Sequence, residues 1–291
     1  MKPFLKWAGG KRWLVSKYPE LFALPIKRYI EPFLGSGAVF FDLEPDSAIL
    51  SDQNSALTNV YDCFRARWWE VDARLRVHAQ KHSENYYYKI RDIKFDNRYD
   101  RAAQLLYLNR TCWNGLYREN LQGQFNVPKG SKDTVLFPDD DFSGVAKLLK
   151  RAEISCADFE VQISEARTGD FVFLDPPYTV KHNNNGFLKY NETIFSWNDQ
   201  VRLARAIKER SNCGANFLMT NAYHDSLIDL YKDFAKIFRV NRASVISGKS
   251  IGRGRIDEAL IAVGPHWWRF DWSSYSSHGG SKKRPTFHSQ A

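Results

Sequence analysis

The most constraining feature of this sequence is a buried strand, a glycine turn, a short helix and a second buried strand in direct succession. Residues 28–33 form the first apolar run, Gly35 and Gly37 follow, residues 38–43 have a helical apolar pattern, and residues 48–52 end on an aspartate. This unit is typical of nucleotide-binding α/β proteins, in which glycines let a ligand approach the backbone and the acid accepts hydrogen bonds from ribose hydroxyls. Two glycines that only permit a tight turn fit the same spacing.

Further strand and helix patterns extend this unit into a larger sheet. Buried strands are predicted at 152–155, 171–174 and 216–219, and helices at 198–211 and 227–234. Strands that alternate with helices favour an α/β sheet covered by helices on both faces.

Composition divides the chain into three parts. Residues 1–59 and 139–264 carry the alternation of strands and helices and are predicted to form the catalytic domain. Residues 60–138 have polar, aromatic and charged helical sequence without a buried strand, and are predicted to form a mostly helical insertion with a hairpin. Residues 265–291 are rich in Trp, Ser, Gly, His and Lys, and are predicted to be a basic, aromatic and flexible tail.

The charge balance narrows the class of partner. Forty-two Lys and Arg against 33 Asp and Glu give a formal net charge of +9, which favours a polyanion such as nucleic acid or an anionic membrane surface. No apolar run reaches the roughly 20 residues of a membrane-spanning helix, and the first residues lack a secretory signal, so an intracellular, soluble protein is expected. The four cysteines have no paired spacing, so we expect reduced thiols and no metal site.

The segment Asp175-Pro176-Pro177-Tyr178 is the most specific candidate for chemistry, because it directly follows the predicted strand 171–174. Two consecutive prolines fix φ and restrict the preceding residue, so the Asp carboxylate and the Tyr ring are held in a preset geometry. A carboxylate and a carbonyl oxygen accept hydrogen bonds from an exocyclic amino group, and an aromatic ring stacks on the base that carries it. A rigid turn that only ends a strand is the structural alternative.

Four motifs in order resemble the Dam-like family of DNA adenine-N6 methyltransferases, which is the D12 class with the alpha-type motif order. They are Phe4-Leu5-Lys6-Trp7-Ala8-Gly9-Gly10-Lys11, Glu31-Pro32-Phe33-Leu34-Gly35-Ser36-Gly37, Asp52 and Asp175-Pro176-Pro177-Tyr178. The resemblance runs from Phe4 to about Val263. It implies a Rossmann-like S-adenosylmethionine-dependent methyltransferase sheet with a mostly helical DNA-recognition insertion.

The resemblance also implies roles for individual residues. Asp175, Pro176, Pro177 and Tyr178 would form the catalytic segment, in which Asp175 and the Pro176 carbonyl bind the adenine amino group and Tyr178 stacks on the flipped base. The residues implied to surround S-adenosylmethionine are Trp7, Lys11, Phe33, Gly35, Gly37, Asp52, Asp158, Phe159 and Asp175.

The resemblance places DNA contacts in the N-terminal motif and in the second half of the insertion. The implied residues are Lys6, Arg110, Trp113, Asn114, Leu116, Arg118, Asn126 and Pro128. Arg118 matches an arginine that reads a guanine, which suits a guanidinium fork facing O6 and N7. Leu116 and Pro128 match contacts to a thymine methyl, so GATC is the leading target. The basic residues between 239 and 255 form either a phosphate-binding loop or a merely solvated one.

The sequence therefore predicts a site-specific adenine-N6 methyltransferase that acts on double-stranded DNA in the cytoplasm, at the nucleoid, of a bacterium or in a phage-encoded setting, with a cognate restriction endonuclease as a candidate partner. A cytosine-N4 or RNA methyltransferase with the same pocket remains an alternative. A nicotinamide-dependent oxidoreductase shares the glycine turn but gives Asp175 to Tyr178 no role. A catalytically silent DNA-binding protein is the third alternative.

Overall fold

A seven-stranded sheet organises the protein, for which a computed structural model describes residues 1–120, 122–179, 195–243 and 255–276. The strands are β1 (Arg28–Glu31), β2 (Ala48–Asp52), β3 (Ala152–Cys156), β4 (Asp170–Leu174), β5 (Asn216–Ala222), β6 (Lys236–Ala243) and β7 (Arg255–Val263). Their order is β3-β2-β1-β4-β5-β7-β6. The first five are parallel, whereas β7 runs antiparallel to both of its neighbours.

Helices and short 3₁₀ turns connect and cover the strands. The helices are α1 (Arg12–Lys17), α2 (Ala38–Leu43), α3 (Ser55–Lys81), α4 (Glu84–Asp92), α5 (Arg98–Thr111), α6 (Phe142–Leu149), α7 (Phe159–Ser164), α8 (Trp197–Arg210), α9 (Asp225–Tyr231), α10 (Pro265–Arg269) and α11 (Ser273–Ser276). The 3₁₀ turns are Pro19–Phe22 and Trp113–Gly115. Among the described residues, no helix is both long and apolar enough to cross a membrane.

Alternation along the strands builds a separate apolar core on each face of the sheet. Tyr29 of β1 and Phe171 of β4 lie in one core, while their neighbours Ile30 and Val172 lie in the other. Successive strand residues point to opposite faces, so a strand that is buried on both sides reads as a continuous apolar run. The predicted α/β sheet with helices on both faces is confirmed.

Strand order creates a crevice at one edge of this sheet. From β1 the chain moves outward to β2 and β3, then crosses back through α7 to β4 on the other side of β1. The connections after β1 and β4 therefore leave in opposite directions, and ligands bind α/β sheets at this switch point, outside the carboxyl ends of the strands.

The predicted domain boundary between residues 59 and 60 falls inside α3 and stays a prediction. The first half of α3 packs Leu57, Tyr61 and Phe64 into the same core as Phe4. The backbone leaves helical geometry only at Arg67 (φ −151°, ψ 68°). Both halves of α3 contact α5, since Asp62 pairs with Arg98 before this break and Arg74 pairs with Asp100 beyond it.

The prediction of a flexible tail from residue 265 is wrong for residues 265–276. Trp267 is fully buried, and the Trp272 indole donates a hydrogen bond to the Trp267 carbonyl at 3.0 Å. Trp272 stacks on Phe238 of β6 with ring centroids 3.8 Å apart. Burial of these rings offsets the entropy cost of ordering a Ser-rich segment. Residues 277–291 lie outside the described residues.

A second correction concerns the basic stretch between residues 239 and 255, which the sequence predicts as a loop. Arg239 and Arg242 belong to β6, and Arg255 begins β7. The Arg239 guanidinium pairs with Asp257 of the neighbouring strand. Lys249 and Arg253 lie outside the described residues, so the phosphate-binding proposal for them stays a prediction.

Candidate active site

The loop after β1 forms one wall of the switch-point crevice. Gly35 has a left-handed φ of 48°, and its amide donates to the Asp52 carboxylate at 3.1 Å. Asn54 donates its amide to the other carboxylate oxygen at 3.0 Å. Burial raises the pKa of Asp52, and the two backbone amides oppose that shift. The half-buried carboxylate is thus fixed at the end of β2 with lone pairs left to accept further hydrogen bonds.

Trp7 packs directly on this loop. A Cβ atom on Gly35 would lie 2.9 Å from Trp7 Cδ1, closer than a methyl group tolerates. The Gly35 carbonyl accepts a hydrogen bond from the Tyr61 hydroxyl at 2.9 Å. The glycine is therefore required both by its backbone angle and by the close approach of the indole.

The segment that follows β4 forms the opposite wall. Asp175 Oδ1 accepts a hydrogen bond from the Thr220 hydroxyl of β5 at 2.7 Å and lies 2.9 Å from the Lys11 ammonium. Within the described part of the chain, Oδ2 has no hydrogen-bond partner. One carboxylate oxygen is thus occupied by protein donors, while the other can accept from a ligand.

Tyr178 completes this wall. Its hydroxyl donates to Glu258 Oε2 at 2.7 Å, and the Lys11 ammonium lies 5.0 Å from the ring centroid. Burial, together with the negative charges of Asp175 and Glu258, raises the pKa of Tyr178 well above its usual value. The side chain therefore stays a neutral phenol whose hydroxyl is held by Glu258.

Asp158 and Phe159, predicted beside the cofactor, lie at the start of α7. Phe159 is buried and stacks on Phe33 with ring centroids 5.5 Å apart. The Asp158 side chain caps α7 through the Glu160 amide and also accepts from Gln53 at 2.9 Å and from Arg202 at 3.0 Å. The two residues thus border the Phe33 side of the crevice, and their contact with a ligand stays a prediction.

The predicted recognition segment projects from the end of α5 as a hairpin-like loop. Its base is an antiparallel bridge between Cys112 and Lys129. Beside this bridge, Trp113 is 54% exposed, and Asn114 has a left-handed φ of 55°. Tyr117 stacks on Trp7 at 5.2 Å, so this segment touches the same indole that packs on the glycine loop.

The remaining predicted DNA contacts surround this segment. Arg118 is exposed and donates to the Asn126 side-chain oxygen at 2.7 Å, while Pro128 is exposed and Leu116 half-buried. Lys6 lies at the base of the segment, where its backbone amide donates to the Asn109 side chain at 2.9 Å. Burial and the nearby Lys132 and Arg110 charges lower the pKa of Lys6, although the Cys112 side chain opposes this.

Arg110 corrects the prediction of a DNA contact, since its side chain is only 1% exposed. The guanidinium donates to both carboxylate oxygens of Asp140, at 2.6 and 2.7 Å, and to the carbonyl oxygens of Val135 and Phe4. It also lies 4.5 Å from the Phe137 ring centroid. Arg110 thus holds the N-terminal segment against the insertion and is not available to a phosphate or a base.

Sequence reasoning missed three polar residues of the crevice. Thr220 follows the predicted strand 216–219 and belongs to the longer β5, and Glu258 lies within β7, which was not predicted. Glu31, at the end of β1, is 3% exposed with no hydrogen-bond partner for Oε2 among the described residues. Burial and the Asp175 charge raise the pKa of Glu31, while the nearby Tyr29 hydroxyl opposes the shift. The only signal for Glu258 was a charge next to the apolar run 259–263.

The sheet order and the strand-end carboxylate define an α/β protein whose loops after β1 and β4 meet at a switch point, the place where such sheets bind ligands. A family model described as D12 class N6 adenine-specific DNA methyltransferase matches residues 7–246. The chain belongs to this family, and it is an adenine-specific DNA methyltransferase. The resemblance predicted from its motifs is confirmed.

Several relatives match nearly full length. The chain is 34% identical over 270 residues to the Type II methyltransferase M1.LlaDCHI of Lactococcus lactis subsp. cremoris, covering 90% of this chain and 95% of that protein. It is 38% identical over 260 residues to the Type II methyltransferase M.MjaIII of Methanocaldococcus jannaschii, covering 80% and 89%. A DNA adenine methylase of Serratia marcescens is 33% identical over 272 residues, covering 89% and 97%.

Proposed function

We propose that this protein transfers the methyl group of S-adenosylmethionine to N6 of an adenine flipped out of double-stranded DNA, with GATC as the leading site. The observation that carries the proposal is the Asp175 carboxylate, whose Oδ1 is occupied by Thr220 and Lys11. Its Oδ2 faces no protein donor among the described residues. An acceptor in this state suits an amino group, which only donates hydrogen bonds.

The crevice residues fit the cofactor implied by the family. Asp52 offers a fixed carboxylate for two ribose hydroxyls, and the glycine at position 35 leaves its backbone open to close approach. Phe33 is half-buried and supplies an aromatic wall. The residues proposed to hold S-adenosylmethionine are Trp7, Lys11, Phe33, Gly35, Gly37, Asp52, Asp158, Phe159 and Asp175. When bound, S-adenosylmethionine supplies an electrophilic methyl group on a sulfonium.

In this proposal Asp175 and Tyr178 prepare the adenine. The N6 lone pair is delocalised into the ring, so hydrogen bonds from N6–H to Asp175 Oδ2 and to the Pro176 carbonyl favour a more tetrahedral and more nucleophilic nitrogen. Tyr178 stacks on the base once it has left the duplex. N6 gains the methyl group as the sulfonium carbon–sulfur bond breaks to leave a neutral thioether, and N6 then releases one proton to solvent. Asp175 acts by position and charge.

The glycine loop gives a direct test of the cofactor site. Gly35→Ala should weaken S-adenosylmethionine binding about tenfold, because the new Cβ would lie 2.9 Å from Trp7 Cδ1 and force the loop and the indole apart, and such overpacking costs roughly 1–3 kcal/mol. Calorimetric titration measures the affinity. Gly123→Ala is the matched control, because Gly123 also has a left-handed φ, of 71°, but nothing lies within 4 Å of its Cβ position. Equal affinities of the Gly35 variant and the wild type would remove this loop from the site.

Support for GATC comes from the recognition segment. Arg118 is exposed and oriented by Asn126, which leaves a guanidinium fork suited to a guanine. Leu116 and Pro128 are proposed to contact the thymine methyl. Lys6 is proposed to lie near the first guanine, and Trp113 to enter the base stack with Asn114 beside it. Because relatives include Type II methyltransferases as well as DNA adenine methylases, a panel of duplexes that differ from GATC by one base pair tests the site. Preferred methylation of another sequence would overturn the GATC proposal.

Arg118→Ala should relax discrimination at one guanine of the site by about 1–3 kcal/mol, which is the contribution of a bidentate contact to a base. Initial rates on the same duplex panel measure this discrimination. Arg167→Ala is the control, since Arg167 is also exposed but precedes β4, at the opposite edge of the sheet. If the site preference of the Arg118 variant is unchanged, Arg118 does not read the guanine.

The names of the relatives support a proposal for the biological setting. Two of those described above are named Type II methyltransferases, so we propose a role in restriction-modification, with a cognate endonuclease in the same cell. DNA in the bacterial cytoplasm is the proposed substrate. Coexpression with neighbouring open reading frames, followed by digestion of host DNA, tests for this endonuclease.

A further inference from the structure

Glu258 is a buried carboxylate at the edge of the crevice that the resemblance left without a role. It is 1% exposed and lies on β7 opposite Ala222 of β5. Two residues along β7, Leu260 is opposite Thr220, so Glu258 and Thr220 point to the same face of the sheet. That face is apolar at Leu218 and Leu260 and becomes polar only where the strands reach the crevice.

A buried carboxylate is costly unless it is paired and hydrogen-bonded. Ala259, Leu260, Ile261 and Ala262 follow it in the same strand and are all buried, so an apolar residue would suit the local environment. Stability alone therefore does not explain a glutamate at position 258, and a functional role is indicated.

The contacts of Glu258 lead to the Asp175–Tyr178 segment. Its Oε2 accepts a hydrogen bond from the Tyr178 hydroxyl at 2.7 Å and lies 4.0 Å from the Lys11 ammonium. Lys11 in turn lies 2.9 Å from Asp175 Oδ1 and 5.0 Å from the Tyr178 ring centroid. The tyrosine is thus fixed at its hydroxyl by Glu258 and beside its ring by Lys11.

We propose that Glu258 is a positioning residue for methyl transfer, acting through Tyr178. By anchoring the hydroxyl, it fixes the plane of the ring on which the target adenine stacks, and so the place of N6 relative to Asp175 Oδ2. The proposal rests on the proposed function, since it assigns a task to the stacking tyrosine. Glu258 itself does not touch the base.

Two substitutions separate this role from simple packing. Glu258→Leu removes the acceptor, whereas Glu258→Gln keeps an amide oxygen that can accept from Tyr178. We expect Glu258→Leu to lower kcat about tenfold to hundredfold, as for loss of a hydrogen bond to a charged group. Glu258→Gln should retain most of the wild-type kcat, and the KM for S-adenosylmethionine should be unchanged in both variants.

A double-mutant cycle with Tyr178→Phe tests whether the loss of kcat in Glu258→Leu is mediated by the Tyr178 hydroxyl. If Glu258 acts through the tyrosine hydroxyl, Glu258→Leu should lower kcat little further once that hydroxyl is absent. A full additional loss in the Tyr178→Phe background, or a raised KM for S-adenosylmethionine, would mean that Glu258 acts through Lys11 or through general packing, and would overturn the proposal.

A matched control is available elsewhere in the chain. Tyr275 also donates to a glutamate, Glu20, but packs against β6 away from the crevice. Tyr275→Phe should therefore leave kcat unchanged. If its kcat falls as far as that of Glu258→Leu, loss of any tyrosine–glutamate bond has the same effect and the proposal fails.

Fluorine NMR of protein labelled with 3-fluorotyrosine reports on the hydrogen bond between Tyr178 and Glu258 without requiring methyl transfer. The Tyr178 resonance is identified by its loss in Tyr178→Phe. We expect Glu258→Leu to shift it and Glu258→Gln to leave it near its wild-type position, while an unmoved resonance in Glu258→Leu would overturn the proposal. If wild-type protein methylates no adenine although Glu258→Leu moves the resonance, the proposed function fails and the positioning role falls with it, but the anchor stands.

Discussion

Asp175→Asn is expected to lower the rate of adenine methylation at least about 100-fold, the range seen when a preorganised polar group is removed from an active site. Thr220 and Lys11 both hold Oδ1, so the asparagine oxygen should take that position. The amide nitrogen would then replace Oδ2 and face the adenine amino group with donors only. DNA binding should persist, because the recognition segment does not contain this residue.

Initial rates with a duplex substrate measure this effect, and gel-shift titration measures DNA binding. Asp170→Asn is the matched control, since Asp170 is a buried aspartate of the same strand but lies at its opposite end, paired with Arg28 at 2.6 Å. It should lower stability and leave the chemical step intact. An Asp175→Asn enzyme that kept more than about a tenth of the wild-type rate would contradict the assigned role.

Asp140→Ala is expected to lower the free energy of unfolding by about 3–5 kcal/mol, because it leaves the buried Arg110 guanidinium without its carboxylate. Three hydrogen bonds are lost, two from Arg110 at 2.6 and 2.7 Å and one from the Phe137 amide at 2.8 Å. The remaining bonds to Phe4 and Val135 carbonyls cannot neutralise the charge. The double variant Arg110→Met/Asp140→Leu should be more stable than Asp140→Ala, since it removes both charges.

Urea unfolding followed by circular dichroism measures these differences. Asp46→Ala is the control for an exposed ion pair, because Asp46 is 99% exposed in its contact with Arg151. It should change stability by less than about 1 kcal/mol. A similarly small effect of Asp140→Ala would show that Arg110 finds other partners and is not the anchor described above.

Local sequence patterns were sufficient for the centre of the sheet. β1, β2 and β4 are short apolar runs ended by a proline or an acid, so their positions and the edge that carries Asp52 and Asp175 follow from residues close together in the chain. The Pro176-Pro177 pair makes the geometry of the catalytic segment a local property as well. These are the parts of the site that could be predicted.

Contacts between distant parts of the chain were not predictable in the same way. Tyr178 and Glu258 are 80 residues apart in the sequence, and they come into contact because β7 inserts between β5 and β6. Arg110 contacts Asp140, which lies 30 residues later in the sequence, and Phe4, which lies 106 residues earlier. An arginine near a DNA-binding loop has the same local sequence whether it points to a phosphate or into the core. Its burial is decided by long-range packing.

The most direct test of the central claim is a nucleoside analysis. Purified protein is incubated with unmethylated duplex DNA and S-adenosylmethionine, the DNA is digested, and methylated bases are quantified by mass spectrometry. We predict N6-methyladenine with the wild type and almost none with Asp175→Asn. Methylcytosine as the product, or N6-methyladenine formed equally by both proteins, would contradict the claim that the Asp175–Tyr178 segment methylates adenine.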